Sequence, residues 1–409
     1  MIAPAESPTD AVEPRRPRVV RRSRRVGLAI GSAIAALMVL ACGRLFVVPL
    51  LEFADLLPPP QGDAVAVFTN DWTSIVKTVA FSPDGHTLAA GGVDCKKGPC
   101  SGIMGDIGPD TRASVRFWDV ASHRQVGRPL DGHAASVTSV AYSPDRHLIA
   151  SSDDHGDVWL WDASHQQTGV ALPPAGWSWE RNVVFSPDGR LLAIAASRQA
   201  PRSPLPSEPN TASAAVVLWD VARRQVVGEL PGGSGPVFSP DGKTVATSYD
   251  PSLAGLAPGA SSTPSGASAI RGVRLWDIAS HQPTGDIASV TAASLAFSPD
   301  GRLLATAAGE HEDTVRLWDV ASHQAVGPPL TGHRRGVYSV AFSPDGRLLA
   351  TGDDGTIRFW DTATHQPVGP PLTGHVSQIF SITFSPDGRL LASGGLDGTA
   401  RLWKVPHPR

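Results

Sequence analysis

The nine residues FSPDGRLLA occur word for word four times, starting at Phe185, Phe297, Phe342 and Phe384, and looser copies start at Phe81, Tyr142 and Phe238. A catalytic site is an asymmetric constellation that a chain needs once, so a stretch used seven times is there to build something. In Ser343-Pro344-Asp345-Gly346, Pro presets φ for the second position of a type I turn. Gly then supplies the left-handed residue that lets the next strand return beside the first. The surrounding runs VYSVAF, RLLAT and TIRFW are short, β-branched or aromatic, and separated by Gly/Asp turns, which is the pattern of an antiparallel meander. The repetition displaces the two or three domains that 409 residues alone suggest.

A second mark accompanies the first. Trp-Asp stands at Trp118, Trp161, Trp219, Trp276, Trp318 and Trp360, with Trp403-Lys404 last, and the intervals are 43, 58, 57, 42, 42 and 43 residues. With insertions removed, the period is near 42. Over residues 63–409 the chain resembles the WD-repeat family of β-propellers, whose repeats of about 40–45 residues each form four strands. The resemblance implies an all-β, seven-bladed propeller. The last repeat stops after its third strand, so DAVAVF (Asp63 to Phe68) is expected to supply its outer strand, and trimming either end should prevent the ring from folding.

The family also carries a hydrogen-bonded network: the His of a Gly-His pair, a Ser or Thr on the second strand, an Asp in the following turn, and the Trp. Two complete sets match, His333, Thr351, Asp354 and Trp360, then His375, Ser393, Asp397 and Trp403. His133 with Ser151 and Trp161 is a partial third, because His155 stands where the Asp is expected. Ser, His and Asp together invite a hydrolase reading. Buried polar groups need partners, however, and this set satisfies itself, with the indole N–H as a further donor. No G-x-S-x-G elbow occurs. With six residues after Trp403, no added catalytic domain is expected, and regular Trp-Asp sets the chain apart from peptidase-associated propellers. No enzyme activity, cofactor or metal is expected.

Residues 1–62 hold eight Arg against five acids, which leaves the rest of the chain near −6. That balance argues against a nucleic-acid surface, which needs a basic stripe or patch. An Arg-rich tail (1–25) precedes an apolar segment (26–48) and a Pro-containing linker (49–62). The apolar segment reads as a transmembrane or signal helix. Positive charge on its N-terminal side places residues 1–25 in the cytoplasm and the propeller outside it. Two variants stay open: cleavage of a signal peptide, with Ser23-Arg24-Arg25 resembling a twin-arginine signal, or lipidation at Cys42, where VLAC resembles a bacterial lipoprotein box.

Outside the cytoplasm, Cys95 and Cys100 of CKKGPC are expected to form a disulfide; two Cys without a nearby His pair make a poor zinc site. The acidic turn DDHGD (Asp153 to Asp157) is read as solvated rather than cation-binding. Pro-, Gly- and Ser-rich insertions separate the second and third strands of the first, third and fourth repeats. These features together describe a bacterial, membrane-tethered member of the family, a non-enzymatic scaffold for protein partners at the cell envelope. The alternative is an enzyme or small-ligand binder that uses the central channel.

Overall fold

The computed structural model describes residues 63–68, 73–95, 111–163, 170–172, 178–198, 213–249, 272–288, 292–309 and 313–406. The apolar segment 26–48, Cys42, Cys100 and the three insertions lie outside the described residues, so the expected helix, lipidation and disulfide do too. Among the described residues the chain is all-β. No helix there is long and apolar enough to cross a membrane.

A short strand β1 (Ala66–Phe68) is followed by five four-stranded antiparallel sheets. The first is β2 (Thr73–Phe81), β3 (Thr87–Cys95), β4 (Thr111–Asp119) and β5 (Gln125–Asp131). The second is β6 (Val137–Tyr142), β7 (Leu148–Asp153), β8 (Val158–Asp162) and β9 (Val170–Ala171). The third is β10 (Ser178–Phe185), β11 (Leu191–Arg198), β12 (Ser213–Asp220) and β13 (Gln225–Pro231). The fourth is β14 (Gly233–Phe238), β15 (Thr244–Tyr249), β16 (Gly272–Asp277) and β17 (Gln282–Ala288). The fifth is β18 (Ser294–Phe297), β19 (Leu303–Ala307), β20 (Val315–Asp319) and β21 (Gln324–Leu330).

The last sheet has seven strands: β22 (Ser339–Phe342), β23 (Leu348–Gly352), β24 (Asp354–Asp361), β25 (Leu372–Phe384), β26 (Leu390–Gly395), β27 (Ala400–Lys404) and β1. It is two four-stranded halves sharing one long strand. The start of β25 pairs with β24 at Leu372 and Thr373, and its end pairs with β26 from Ile379 to Phe384. β1 completes the final half by pairing with β27 in the register Ala66↔Leu402, Val67↔Arg401, Phe68↔Ala400. Residues 63–68 therefore supply the outer strand expected from the sequence. Asp63 adds a cap: its carboxylate accepts hydrogen bonds from the backbone N–H and the hydroxyl of Thr373.

The core lies between sheets. Second strands such as β23, LLATG, are buried at every residue, because a neighbouring sheet covers each face. One cluster joins Val76, Val79, Leu88 and Trp118 of the first sheet to Ala392, Ala400, Leu402 and Phe68 of the last. A fully buried Leu such as Leu88 or Leu402 contributes roughly 1.5–3 kcal/mol, an upper figure because unfolded chains already bury some apolar surface. The innermost strands touch in the succession β2, β6, β10, β14, β18, β22, β25 and then β2 again, so the series returns to its start.

Candidate functional site

The repeated nonapeptide forms the tips joining the first and second strands. At each of the seven described tips the Ser hydroxyl donates to the Asp carboxylate at 2.5–2.6 Å. The same Ser oxygen accepts a backbone N–H five residues on, as from Leu348 to Ser343 at 2.9 Å. That serine bond is the principal reason that Asp84, Asp145, Asp188, Asp241, Asp300, Asp345 and Asp387 sit below the usual carboxylate range. The tip glycines have φ of 69–75°, and Arg146, which replaces one of them, has φ 66°.

Each tip also touches the next. A Cβ placed on Gly85, Gly189, Gly242, Gly301, Gly346 or Gly388 would meet the ring of Pro386, Pro144, Pro187, Pro240, Pro299 or Pro344 respectively, at 3.4–3.7 Å. The Pro of one tip thus seats on the Gly of its neighbour, and the contact between Gly85 and Pro386 closes the collar. Further out, a repeated Ser/Thr-His-x-x-x-Gly pattern does a related task. His281, His323 and His365, all at φ near 58°, lie against Gly228, Gly285 and Gly327 of the preceding sheet. Any Cβ on those glycines would fall within 2.4 Å of the imidazole.

Three polar networks are complete. His375 donates from Nδ1 to Asp397 at 2.9 Å, its Nε2 accepts from Ser393 at 2.7 Å, and Trp403 Nε1 donates to the same hydroxyl at 2.7 Å. A neutral imidazole protonated on Nδ1 satisfies every atom of this set. His333, Thr351 and Trp360 are joined in the same way.

Their carboxylate is a correction to the sequence reading: it is Asp353, 2.8 Å from His333 Nδ1, and not Asp354. Side chains alternate along a strand, so Asp353 shares the face of Thr351 while Asp354 points to the other. Asp354 instead meets the guanidinium of Arg335 at 3.3 Å. The same spacing completes the partial third set, where Asp153, two residues from Ser151, binds His133 Nδ1 at 2.9 Å. In the last sheet the corresponding residue is Gly395. Asp397 reaches back from the turn over that glycine, where a Cβ would lie 2.8 Å from His375 Nδ1.

The turn DDHGD is solvated only in part, with His155 and Asp157 exposed. Asp153 is fully buried and accepts from His133 and from the backbone of His155 and Asp157, while Asp154 pairs with Lys77. Among the described residues no cluster of three or more His, Cys, Asp or Glu is placed to hold a metal.

The hydroxyls of Ser151, Thr351 and Ser393 belong to residues with no exposed surface, and each is capped by an indole N–H. They cannot meet a substrate. Burial pushes the carboxyls of Asp153, Asp353 and Asp397 upward, and the hydrogen bond and charge of the His, with backbone donors, hold each below the usual range. Burial pushes His375 below its ordinary value despite Asp397. In the fourth and fifth sheets only the indole bond survives, from Trp276 to Thr247 and from Trp318 to Thr306. In the third, Ile194 stands at the hydroxyl position, and Trp219 Nε1 has no partner among the described residues.

The inner strands enclose a cavity of about 250 Å³, lined by Lys77, Thr138, Asn182, Gly235, Ser294 and Tyr338 among others. Its wall is laced. A hydroxyl on one inner strand accepts a backbone N–H from the next: Thr78 from Val140, Ser139 from Val183, Ser294 from Val340, Ser339 from Ile382, and Ser381 from Val79, at 2.9–3.3 Å. The sequence trace of this device is a Ser, Thr or Asn three positions before the Phe or Tyr that opens six of the seven tips, with Gly235 at that place in the other.

Stacked four-stranded sheets, Ser/Thr-His-Asp-Trp networks and a central cavity define a β-propeller-like repeat protein. Five segments, residues 62–96, 124–162, 272–319, 326–361 and 367–404, match the WD40 family, described as WD domain, G-beta repeat. The chain is similar to the guanine nucleotide-binding protein subunit beta of Solanum tuberosum, 30% identical over 245 residues, covering 56% of this chain and 53% of that one. The corresponding subunit of Arabidopsis thaliana is 28% identical over 242 residues, with the same shares. Transcription initiation factor TFIID subunit 5 of Caenorhabditis elegans is 36% identical over 95 residues, 23% of this chain and 14% of that protein. The chain thus spans about half the length of these beta subunits. Repeats and relatives together make the chain similar to WD-repeat proteins.

Proposed function

We propose that the chain is a non-enzymatic, seven-bladed scaffold that presents one loop-bearing face to a protein partner at the extracytoplasmic side of a membrane, tethered through residues 26–48. One observation carries the scaffold reading. The Ser-His-Asp sets that would have to perform chemistry are sealed and self-satisfied, so every described polar cluster of that kind serves architecture.

The three insertions fall between β3 and β4, β11 and β12, and β15 and β16, always linking the second and third strands of a sheet. In a meander such links share one end with the connections from one sheet to the next, so all three emerge on one face. Loops on a rigid scaffold are where recognition concentrates. The topology reading rests on the seven Arg before Val26.

The test is affinity capture from an envelope extract, with the intact chain and with a chain whose segments 96–110, 199–212 and 250–271 are replaced by short turns. A protein retained by the first and lost by the second, while both stay folded, supports the reading. Undiminished capture by the trimmed ring moves the contact to the cavity mouth. A reporter fused after Arg409 that is active only in the cytoplasm would refute the topology.

A further inference from the structure

The lacing of the inner strands is interrupted at the fourth sheet, and the interruption removes both halves of the bond. Where the other inner strands place a hydroxyl or Asn182, β14 has Gly235, which has no side chain to accept. Where they place a donating N–H, β14 has Pro236, which has none. Asn182 of β10 therefore meets no donor from β14. Gly235 likewise offers no side-chain acceptor to the N–H of Leu295 in β18, the register equivalent of Val340. At the five other junctions the bond is present.

Two further observations point the same way. β14 leaves its ladder with β15 between Ser234 and Val237, a shift that β2, β6, β10 and β25 also show against their partners, but here the segment includes Gly235, which at φ 57° has open space where a Cβ would go. The main apolar clusters that flank the fourth sheet are also smaller than the main clusters elsewhere, the pair Ile75 and Val93 being a satellite at a junction that already holds a cluster of ten. Among the described residues six buried hydrophobics join it to the third sheet and seven to the fifth. The main clusters elsewhere hold nine to twelve.

The sheet is nonetheless held at its tip and its outer strands. Gly242 rests on Pro187 and Gly301 on Pro240, while His281 lies on Gly228 and His323 on Gly285. Freedom is thus confined to the inner strand of a sheet anchored on both sides, and that strand forms part of the cavity wall through Gly235 and Val237.

We propose that β14 is a gate strand. It moves away from β10 and β18, and peels from β15, while β15 to β17 stay in place, opening the 250 Å³ cavity sideways at the fourth sheet. Sparse buried contact and missing hydrogen bonds are what place an element at the low-stability end of native-state opening.

The experiment is residue-resolved hydrogen exchange on the intact chain near pH 7. The ladder pair Val237 and Ala246 is compared with its register equivalents, Ala341 and Ala350 in the β22–β23 ladder and Thr383 and Ala392 in the β25–β26 ladder. Two missing bonds should make the first pair exchange roughly tenfold faster or more. The double change Gly235→Asn with Pro236→Val, which restores a donor and keeps a residue tolerant of positive φ, should slow it severalfold. Ser339→Ala should conversely speed exchange at Ile382. Equal protection of the three ladder pairs in the unaltered chain overturns the proposal, and so does fast exchange spread over β15 to β17, which would be opening of the whole sheet.

Discussion

The fourth sheet and the final half-sheet are copies of one design with very different furnishing. Both carry the Ser-Pro-Asp-Gly tip, and both give their Trp a hydroxyl acceptor, Thr247 for Trp276 and Ser393 for Trp403. The final half adds His375, Asp397 and a fully buried Arg401, whose Nη2 lies 3.7 Å from Asp397. It is also laced on both sides, from Ile382 to Ser339 and from Val79 to Ser381. The tip and the indole bond are the layer shared by these two extremes; the imidazole and the lacing are added where the ring is to be stiff. Rigidity in this chain is therefore set sheet by sheet, within one repeated plan.

The comparison is broken most forcefully at the imidazole. His375→Ala leaves Asp397 buried without its principal partner, and losing one member of a buried charged set costs about 3 kcal/mol. Thr247→Val in the fourth sheet strands only an indole N–H and should cost about 1 kcal/mol. Urea unfolding of the two variants measures the difference, and equal losses would mean that the network adds nothing beyond the shared layer.

Acid sharpens the same contrast. The folded pKa of His375 lies below 6.5, so the unfolded chain binds the proton more readily and stability falls as pH drops from about 6.5 toward the folded value. The carboxyls of Asp153, Asp353 and Asp397 are also depressed, and their contribution is lost as pH falls from 3.8 through their folded values. The fourth sheet has no such His–Asp pair among its described residues. The advantage in exchange protection of β26 over β15 should narrow between pH 7 and pH 5; a constant ratio would exclude titration of His375 as the cause.

The smallest effect is expected within the tips. Arg146 holds φ 66° where six counterparts are glycine, and its guanidinium meets Asp84 at 3.1 Å on an open surface. Such exposed pairs are worth little. Arg146→Gly should relieve strain and gain a few tenths of a kcal/mol after the added entropy of the unfolded chain, seen as a small rise in the urea midpoint. A lower midpoint would assign the turn's stability to the bond with Asp84.

What could be read from the residues follows the range of the interactions involved. The tips were legible because Ser, Pro, Asp and Gly act within five residues of one another, and the outer strand 63–68 because a repeat lacking its fourth strand needs one. Asp353 was missed in favour of Asp354 because the sequence shows an Asp-Gly turn, whereas the pleat of β23 decides which carboxylate shares the face of Thr351. The lacing joins residues 43 to 302 positions apart, as from Ile382 to Ser339 and from Val79 to Ser381, so a small polar residue before the tip does not by itself reveal its partner. Gly235 and Pro236 look like ordinary turn residues until the register shows what their neighbours do at the same place.

The Pro-on-Gly collar has a consequence for copy number. Each tip offers a different surface to either side, so the contact is a heterologous joint, the kind that generates a closed ring when its rotation divides the circle and an open filament when it does not. The seven described tips close through Gly85 and Pro386. A chain that gained one repeat by duplication would alter the angle every joint must make, or leave one Pro and one Gly unmatched. The unmatched pair would be complementary to the same pair on another molecule, so the expected product of a miscounted ring is an assembly of chains joined tip to tip.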